Sequence, residues 1–195
     1  MDTNKGRLVE ETLDELHNQK INNLSSRLDA LQEQNKNADL WHKIGKGFQA
    51  VRNSSIGALA LGTFGMMAVL AYGPAVNNTG FTADLAPHLT TALSVAYAGV
   101  AGFIATHLGA KNAEYKTFIK SCDVEDERKK LMVAAQGAND SLNEHALKYG
   151  VSHETKEKMD KLYNDIFSNK TKSPLVRDQD EYFEKRARKN GIAKI

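Results

Sequence analysis

The stretch SSIGALALGTFGMMAVLAYGPAV, residues 54–76, contains no Asp, Glu, Lys, Arg or His. A second stretch without acidic residues, Lys or Arg follows it, APHLTTALSVAYAGVAGFIATHLGA, residues 86–110. A bilayer core about 30 Å thick needs roughly 20 apolar residues in helical conformation. Residues 54–76 and 87–110 supply 23 and 24. We therefore expect an all-α protein whose middle, residues 53–110, is a transmembrane hairpin of two helices.

The ends of the two apolar stretches carry residues that interrupt helices. Gly73-Pro74 is expected to close the first, because proline has no backbone N–H and blocks helix continuation. Pro87 is expected to open the second, where a first-turn N–H would have no partner. The polar residues between them predict a turn in water.

A different interpretation is a helical hairpin buried inside a soluble protein. Both stretches are rich in Gly, Ala, Ser and Thr rather than Leu and Ile, which makes each only marginally hydrophobic on an insertion scale. Burial in a soluble fold would require a shell of amphipathic helices, and the rest of the chain is long enough to provide one.

Small residues recur every four positions in both stretches, which predicts a packing face. In lipid, helices associate through close backbone approach, and small side chains permit that approach. We expect the two helices to pack on each other or on copies of themselves. The predicted packing residues are Ala58, Gly62, Ser94, Ala98, Gly102 and Thr106.

Charge placement predicts the orientation. Residues 53–83 and 85–110 lack Asp, Glu, Lys and Arg, so nearly all charge lies outside the apolar stretches. Basic residues flank the stretches at both outer ends, whereas residues 77–86 contain no Lys or Arg. By the positive-inside rule both termini face the cytosol and residues 77–86 lie on the opposite side. Trp41 and Tyr115 are expected at the membrane interface.

The N-terminal region, residues 1–52, is predicted to be an amphipathic or coiled-coil helix. Ile21, Leu24, Leu28 and Leu31 are spaced three, four and three residues apart, which is a heptad seam, and Asn35 takes the next seam position. This pattern favours a homo-oligomer or a helical protein partner. The alternative is a helix that packs on its own protein or on the membrane surface.

The C-terminal region, residues 111–195, predicts a small cytosolic bundle of helices. The second apolar helix is expected to continue beyond residue 110, with Cys122 as a small buried side chain. Separate helices are expected over 123–136 and 139–150, and another begins at the capping residue Ser152. That last helix has the clearest apolar face of the chain, formed by Met159, Leu162, Tyr163, Ile166 and Phe167.

The residues that usually carry chemistry are not arranged for it in this sequence. The six histidines form no metal-ligand motif, and a single cysteine cannot build a zinc site. Neither apolar stretch has a charged residue at mid-depth, where ion and proton paths are usually marked. We therefore expect no enzyme activity, no cofactor and no metal. The net charge of +2 gives no reason to expect nucleic-acid binding.

Three functional hypotheses follow from these features. The first is a membrane-anchored interaction or scaffold protein that presents cytosolic helices to partners or self-assembles. The second is a membrane-permeabilising protein of the holin or translocator type. The third rests on the last 18 residues, which resemble in composition the ends of effectors that intracellular bacteria export by type IV secretion. An acidic block precedes apolar residues there, interrupted by the basic run 185–189, and the resemblance implies action at a host membrane. The residues concerned are Asp178, Asp180, Glu181, Glu184, Ile192 and Ile195.

Overall fold

The computed structural model describes residues 3–77 and 86–189, with side chains over 11–71 and 86–189. Over these ranges the chain is helical and contains no strand, which confirms the all-α prediction. The four α-helices are α1 (Thr3–Asn77), α2 (Ala86–Tyr149), α3 (His153–Phe167) and α4 (Pro174–Lys189), and a short 3-10 helix covers Asn169–Thr171.

The helix ends agree with the sequence at some positions and differ at others. Helix α1 ends at Asn77, one residue past the expected stretch 54–76, with Gly73-Pro74 inside its last turns and not at its end. A proline this close to a helix end removes only one backbone hydrogen bond, and its fixed φ is itself helical. Helix α2 places Pro87 in its first turn, as expected.

Helix α2 runs without a break through the stretches 123–136 and 139–150, for which separate helices were expected. Gly137 is the only glycine between residues 123 and 149, there is no proline, and an isolated glycine is tolerated inside a helix. The helix ends at Tyr149, and Gly150 follows with φ of 80°, the left-handed conformation that commonly closes helices.

The chain divides into two compact units. One, here called the bundle unit, contains residues 1–40 and 117–195, and the other, here called the apolar unit, contains residues 41–116. The sequence-based division into 1–52, 53–110 and 111–195 stays a prediction. Contacts join the N-terminal stretch and the C-terminal region in the same unit.

Three helices build the core of the bundle unit. Core side chains are spaced three or four residues apart on α1 and α3 and four or seven apart on α2, the pattern by which helices interdigitate. The core residues are Ile21, Leu24, Leu28 and Leu31 of α1, Val124, Leu131, Ala135 and Leu142 of α2, and Met159, Leu162 and Ile166 of α3.

Polar contacts fix α3 parallel to α1, with both helices running in the same chain direction. Near its start, the Ser152 backbone N–H donates to the Asp14 carboxylate at 3.1 Å. Near its end, the Asn35 side-chain amide donates to the carbonyl oxygens of Lys170 and Lys172 at 3.2 and 3.0 Å. The register of α3 on α1 is therefore fixed at both ends.

Helix α4 is anchored by its first turns. The Ser173 N–H donates to the Glu125 carboxylate at 2.8 Å, and Arg177 pairs with Asp39. Further along, Tyr182 and Phe183 are exposed. Of the last 18 residues, which resemble the ends of exported effectors, Asp178, Asp180, Glu181 and Glu184 lie on this helix. Ile192 and Ile195 lie outside the described residues.

Candidate functional site

Many large apolar side chains lie on the outer surface of the apolar unit. Leu61, Phe64 and Tyr97 are each at least 70 % exposed. In the most apolar 18-residue stretch of α1 and of α2, 11 % of the residues are buried. Both helices are long and apolar enough to cross a membrane. The core helix of a soluble protein would instead have most of this surface covered.

Glycines lie where the two helices of the apolar unit touch. A Cβ atom added to Gly62 would be 2.5 Å from the backbone nitrogen of Ala96, and one added to Gly99 would be 2.6 Å from that of Leu59. Real Cβ atoms do not approach that closely, so only glycine allows these backbones to meet. This is the contact mode of helices in lipid, where van der Waals packing replaces the hydrophobic effect.

The same contact continues toward residues 45 and 113. A Cβ on Gly102 would lie 2.8 Å from the Ser55 hydroxyl oxygen, and one on Gly109 would lie 2.7 Å from the Phe48 ring. Ala110 is fully buried. The helices therefore remain in close contact over many turns.

The predicted packing residues fall at different places around this contact. Gly62, Gly102 and Thr106 lie in it, Ala58 is half-buried, and Ser94 and Ala98 are exposed. A step of four residues advances about 40° around a helix, so a row spaced by four leaves a straight contact within a few turns. Gly99 was missed, and spacings alternating between three and four residues would have found it.

Hydroxyl groups of the apolar unit bond to their own helices. Thr63, Thr90 and Ser94 each donate to the carbonyl oxygen four residues earlier, at 2.8 Å. Thr106 donates to the Gly102 carbonyl at 2.6 Å. Such bonds satisfy the hydroxyl hydrogen inside the helix. These side chains can face lipid without leaving that donor unmet.

Basic side chains flank the apolar stretches, and we call the set of five the basic collar. One acidic residue, Glu114, lies among them, and its carboxylate accepts from the Gln49 amide at 2.9 Å and pairs with Lys111 at 3.5 Å. These contacts, the Gln49 bond foremost, lower the pKa of Glu114. Lys116 lies 4.0 Å from the centre of the Trp41 ring. The collar consists of Lys43, Lys46, Arg52, Lys111 and Lys116.

The predicted seam and C-terminal face lie in the bundle unit. Ile21, Leu24, Leu28 and Leu31 pack inside one chain, and a coiled coil with a second chain stays a prediction. Met159, Leu162 and Ile166 are buried in the same core. At the edge of that face, Tyr163 donates to the Gln136 amide oxygen at 2.6 Å and stacks on Phe167.

A groove of about 490 Å³ runs between α1 and α2 of the bundle unit. Its apolar lining includes Leu16, Leu24 and Ala134, and its charged lining residues are Lys20 and Arg27. Gly137 also lines it, and a Cβ added there would meet nothing within 4 Å. The groove therefore has room for an apolar side chain from outside.

Two imidazoles meet inside the bundle unit. The Nε2 atom of His17 lies 3.0 Å from Nδ1 of His145, and His17 is 1 % exposed. Burial, followed by the positive charge of Lys20 and by His145, lowers the pKa of His17, while Asp14 opposes that shift. The sequence did not indicate this pair, because its members are far apart in the chain.

Among the described residues, no group of three or more His, Cys, Asp or Glu side chains could hold a metal ion. Cys122 is exposed, so the expectation of a buried cysteine is wrong. Helix α2 turns Ser121 and Val124 inward instead. No protein-family model, curated protein or solved structure matches this chain.

Proposed function

We propose that this chain is a membrane-anchored helical scaffold protein. Residues 54–76 and 87–110 cross the bilayer as a hairpin, and the bundle unit is presented to partners in the cytosol. The observation that carries the proposal is the outward-facing apolar surface of residues 41–116, of which the most apolar stretches are only 11 % buried.

Lipid removes the free-energy penalty that this surface would have in water. A large apolar side chain left in water forgoes about 1.5–3 kcal/mol of burial free energy. Leu61, Phe64, Met67 and Leu70 are all at least 55 % exposed on one stretch of α1. Many such residues on one unit favour a nonpolar solvent around it. The glycine contacts supply the helix–helix association that lipid itself does not provide.

The charge distribution supports the orientation with both termini in the cytosol. The basic collar lies at one end of the apolar stretches, and residues 77–86 at the other end contain no Lys or Arg. Basic residues are retained on the cytosolic side during insertion. The bundle unit then lies in the cytosol, where its single exposed cysteine is compatible with a reducing environment.

The groove of the bundle unit supports a partner-binding role. Its apolar floor would accept the apolar face of a helix, and Lys20 and Arg27 favour acidic residues on that helix. The partner that fits is thus an acidic amphipathic helix. A second copy of this chain is the other class of partner, although the seam residues that predicted it are packed inside one chain.

A membrane-permeabilising protein is the second candidate, favoured by the Ser and Thr residues in both apolar stretches. The hydroxyl bonds within each helix weigh against it, because hydroxyls that are satisfied by their own carbonyls do not require a water-filled lumen. An exported effector at a host membrane is compatible with the anchored scaffold and differs only in the membrane it enters.

Carbonate extraction combined with protease protection tests the anchor. The chain, tagged at both ends, should stay in the membrane pellet, and both tags should be digested in vesicles that expose the cytosolic side. Recovery in the carbonate supernatant would refute the anchor. Protection of either tag would refute the proposed orientation.

Dye release from vesicles separates the scaffold from the pore. Intact vesicles that carry the protein support the scaffold, and leakage supports the pore. Gly62→Leu should abolish a genuine lesion, because its Cβ atom would lie 2.5 Å from the Ala96 backbone nitrogen at the helix contact. Gly57→Leu is the matched control, because its Cβ atom meets nothing within 4 Å.

Gly137→Leu tests the groove. A Cβ atom added there meets nothing within 4 Å, so folding should persist, while the leucine side chain occupies the groove and binding of a synthetic amphipathic peptide with Glu flanks is lost. A peptide with the same apolar face and Lys flanks should bind weakly to the unmodified chain. Equal binding of both peptides would refute the charge complementarity.

A further inference from the structure

We propose that the basic collar binds the headgroups of anionic phospholipids and selects them over zwitterionic ones. This inference rests on the proposed membrane insertion and adds the lipid class to it. The ligand is an anionic phospholipid in the leaflet that surrounds the outer ends of the apolar stretches.

The charge balance of the collar is strongly positive. Residues 41–52 and 111–116 contain five Lys or Arg and one acidic residue, Glu114. The Glu114 carboxylate is already engaged by Gln49 and Lys111. Four of the collar side chains are exposed, and Arg52 is half-buried. The collar can therefore attract several anionic groups at once.

The cations of the two helices lie at matching depths. Gly45 faces Ala113, and Phe48 packs on Gly109, which brings Lys46 of α1 level with Lys111 of α2. The contact between Lys116 and the Trp41 ring aligns a second pair of positions on the two helices, further from the apolar stretches than Lys46 and Lys111. The two helices together thus form a band of positive charge rather than two separate patches.

Arg52 extends this band toward the apolar stretch. It follows Lys46 by six residues, which is about 9 Å along a helix. A long basic side chain at that depth can place its stem against lipid tails and its guanidinium among the headgroups. The band therefore spans the depth at which phosphate and carboxylate groups of lipids lie.

Two aromatic side chains favour a lipid surface over a soluble polyanion. Trp41 and Tyr115 lie at the same end of the apolar unit as the collar, and Tyr115 is 65 % exposed. Amphipathic rings of this kind settle at the headgroup level of a bilayer. A soluble polyanion would use the positive charge alone and would gain nothing from the adjoining apolar surface.

Electron paramagnetic resonance with spin-labelled lipids tests the selectivity. The full chain is reconstituted in phosphatidylcholine vesicles that contain traces of spin-labelled phosphatidylserine or phosphatidylcholine. Because one basic residue near an anionic surface strengthens association about fivefold, the motionally restricted fraction should favour phosphatidylserine severalfold. The preference should fall as salt is added.

Charge-neutralising variants identify the residues responsible. Lys43→Gln combined with Lys46→Gln should move the preference toward unity. Lys158→Gln combined with Lys161→Gln removes the same charge from α3 in the bundle unit and should leave the preference unchanged. An unchanged preference in the collar variant would overturn the proposal.

Two further outcomes separate this inference from the proposed function. Equal restricted fractions for both lipids would overturn the lipid selectivity and leave the anchor standing. Absence of any restricted lipid would remove the anchor itself. Inorganic phosphate, compared with chloride at the same ionic strength, should not displace phosphatidylserine selectively. Selective displacement would show a site for phosphate ions and would also overturn the proposal.

Discussion

The bundle unit and the apolar unit distribute side-chain size in opposite ways. In the bundle unit, large residues such as Leu131, Leu142 and Met159 are about 1 % exposed. In the apolar unit, glycine and alanine lie between the helices, and Leu61 and Phe64 are 72 % and 70 % exposed. Helices α1 and α2 contribute to both units, and α3 adds to the bundle unit alone.

The proposed insertion of the apolar unit in lipid accounts for this difference. In water, burying large apolar side chains is the dominant favourable contribution to folding. In lipid that gain is absent, and close backbone contact provides the stabilisation. Within the apolar stretches the hydroxyl of Thr63 bonds to its own helix, whereas the buried Asn35 amide of the bundle unit donates to carbonyl oxygens beyond the end of α3.

The largest effect is expected from truncating a core side chain of the bundle unit. Leu131→Ala should destabilise this unit by about 2–5 kcal/mol, because it removes apolar contacts and leaves a cavity. Hydrogen exchange of α2 and α3 amides in the full chain should report the loss as faster exchange.

Leu61→Ala is the matched change in the apolar unit. Leu61 is 72 % exposed, so its truncation opens no cavity, and amide exchange around it should change little. A loss comparable to that of Leu131→Ala would show that protein covers Leu61, and the contrast between the units would fail.

Enlarging a glycine at the helix contact should perturb the apolar unit, whereas truncating the exposed Leu61 should not. Gly99→Leu places a Cβ atom 2.6 Å from the Leu59 backbone nitrogen, and overpacking of this kind costs about 1–3 kcal/mol. Spin labels at positions 61 and 97, in a Cys122→Ser background, should report a longer and broader distance by double electron–electron resonance.

Gly57→Leu is the control for this prediction, because its Cβ meets nothing within 4 Å. The distance between the labels should stay the same. If Gly99→Leu also left the distance unchanged, the close glycine contact would not exist in the chain.

The sequence was sufficient for features that depend on neighbouring residues. Segment length and the lack of charge identified the apolar stretches, and local periodicity gave the all-α class. The cap at Ser152 was also predictable, because Ser followed by an amphipathic run is a local signal, and the structure places Ser152 at the N-cap of α3.

Features that depend on distant residues could not be predicted. The packing of residues 1–40 with 117–195 joins parts of the chain that no periodicity links. The His17–His145 contact has the same origin. The exposure of Cys122 shows a related limit, since an apolar stripe on one helix does not reveal which of its sides the partner helices cover.

A smaller effect is expected at the start of α3. The Ser152 hydroxyl accepts from the Thr155 backbone N–H at 3.2 Å, so Ser152→Ala should cost about 1 kcal/mol and speed amide exchange in the first turn of this helix. Ser26→Ala removes a hydroxyl that only donates to the Asn22 carbonyl within α1, and it should be neutral. Equal effects of both changes would mean that the cap does not stabilise α3.

The smallest effect is expected from pH, and it is confined to the bundle unit. Because the pKa of His17 is lowered in the fold, the unfolded chain binds more protons as pH falls below about 6.5. Stability should therefore be full above that pH and should decrease as pH falls through the lower folded pKa. Asp14 partly offsets the shift, which keeps the effect small.

Amide exchange, corrected for its intrinsic pH dependence, should show the decrease in stability in the unmodified chain and in His153→Gln, whereas His17→Gln should flatten it. A decrease of the same size in His17→Gln would assign the pH dependence to another group.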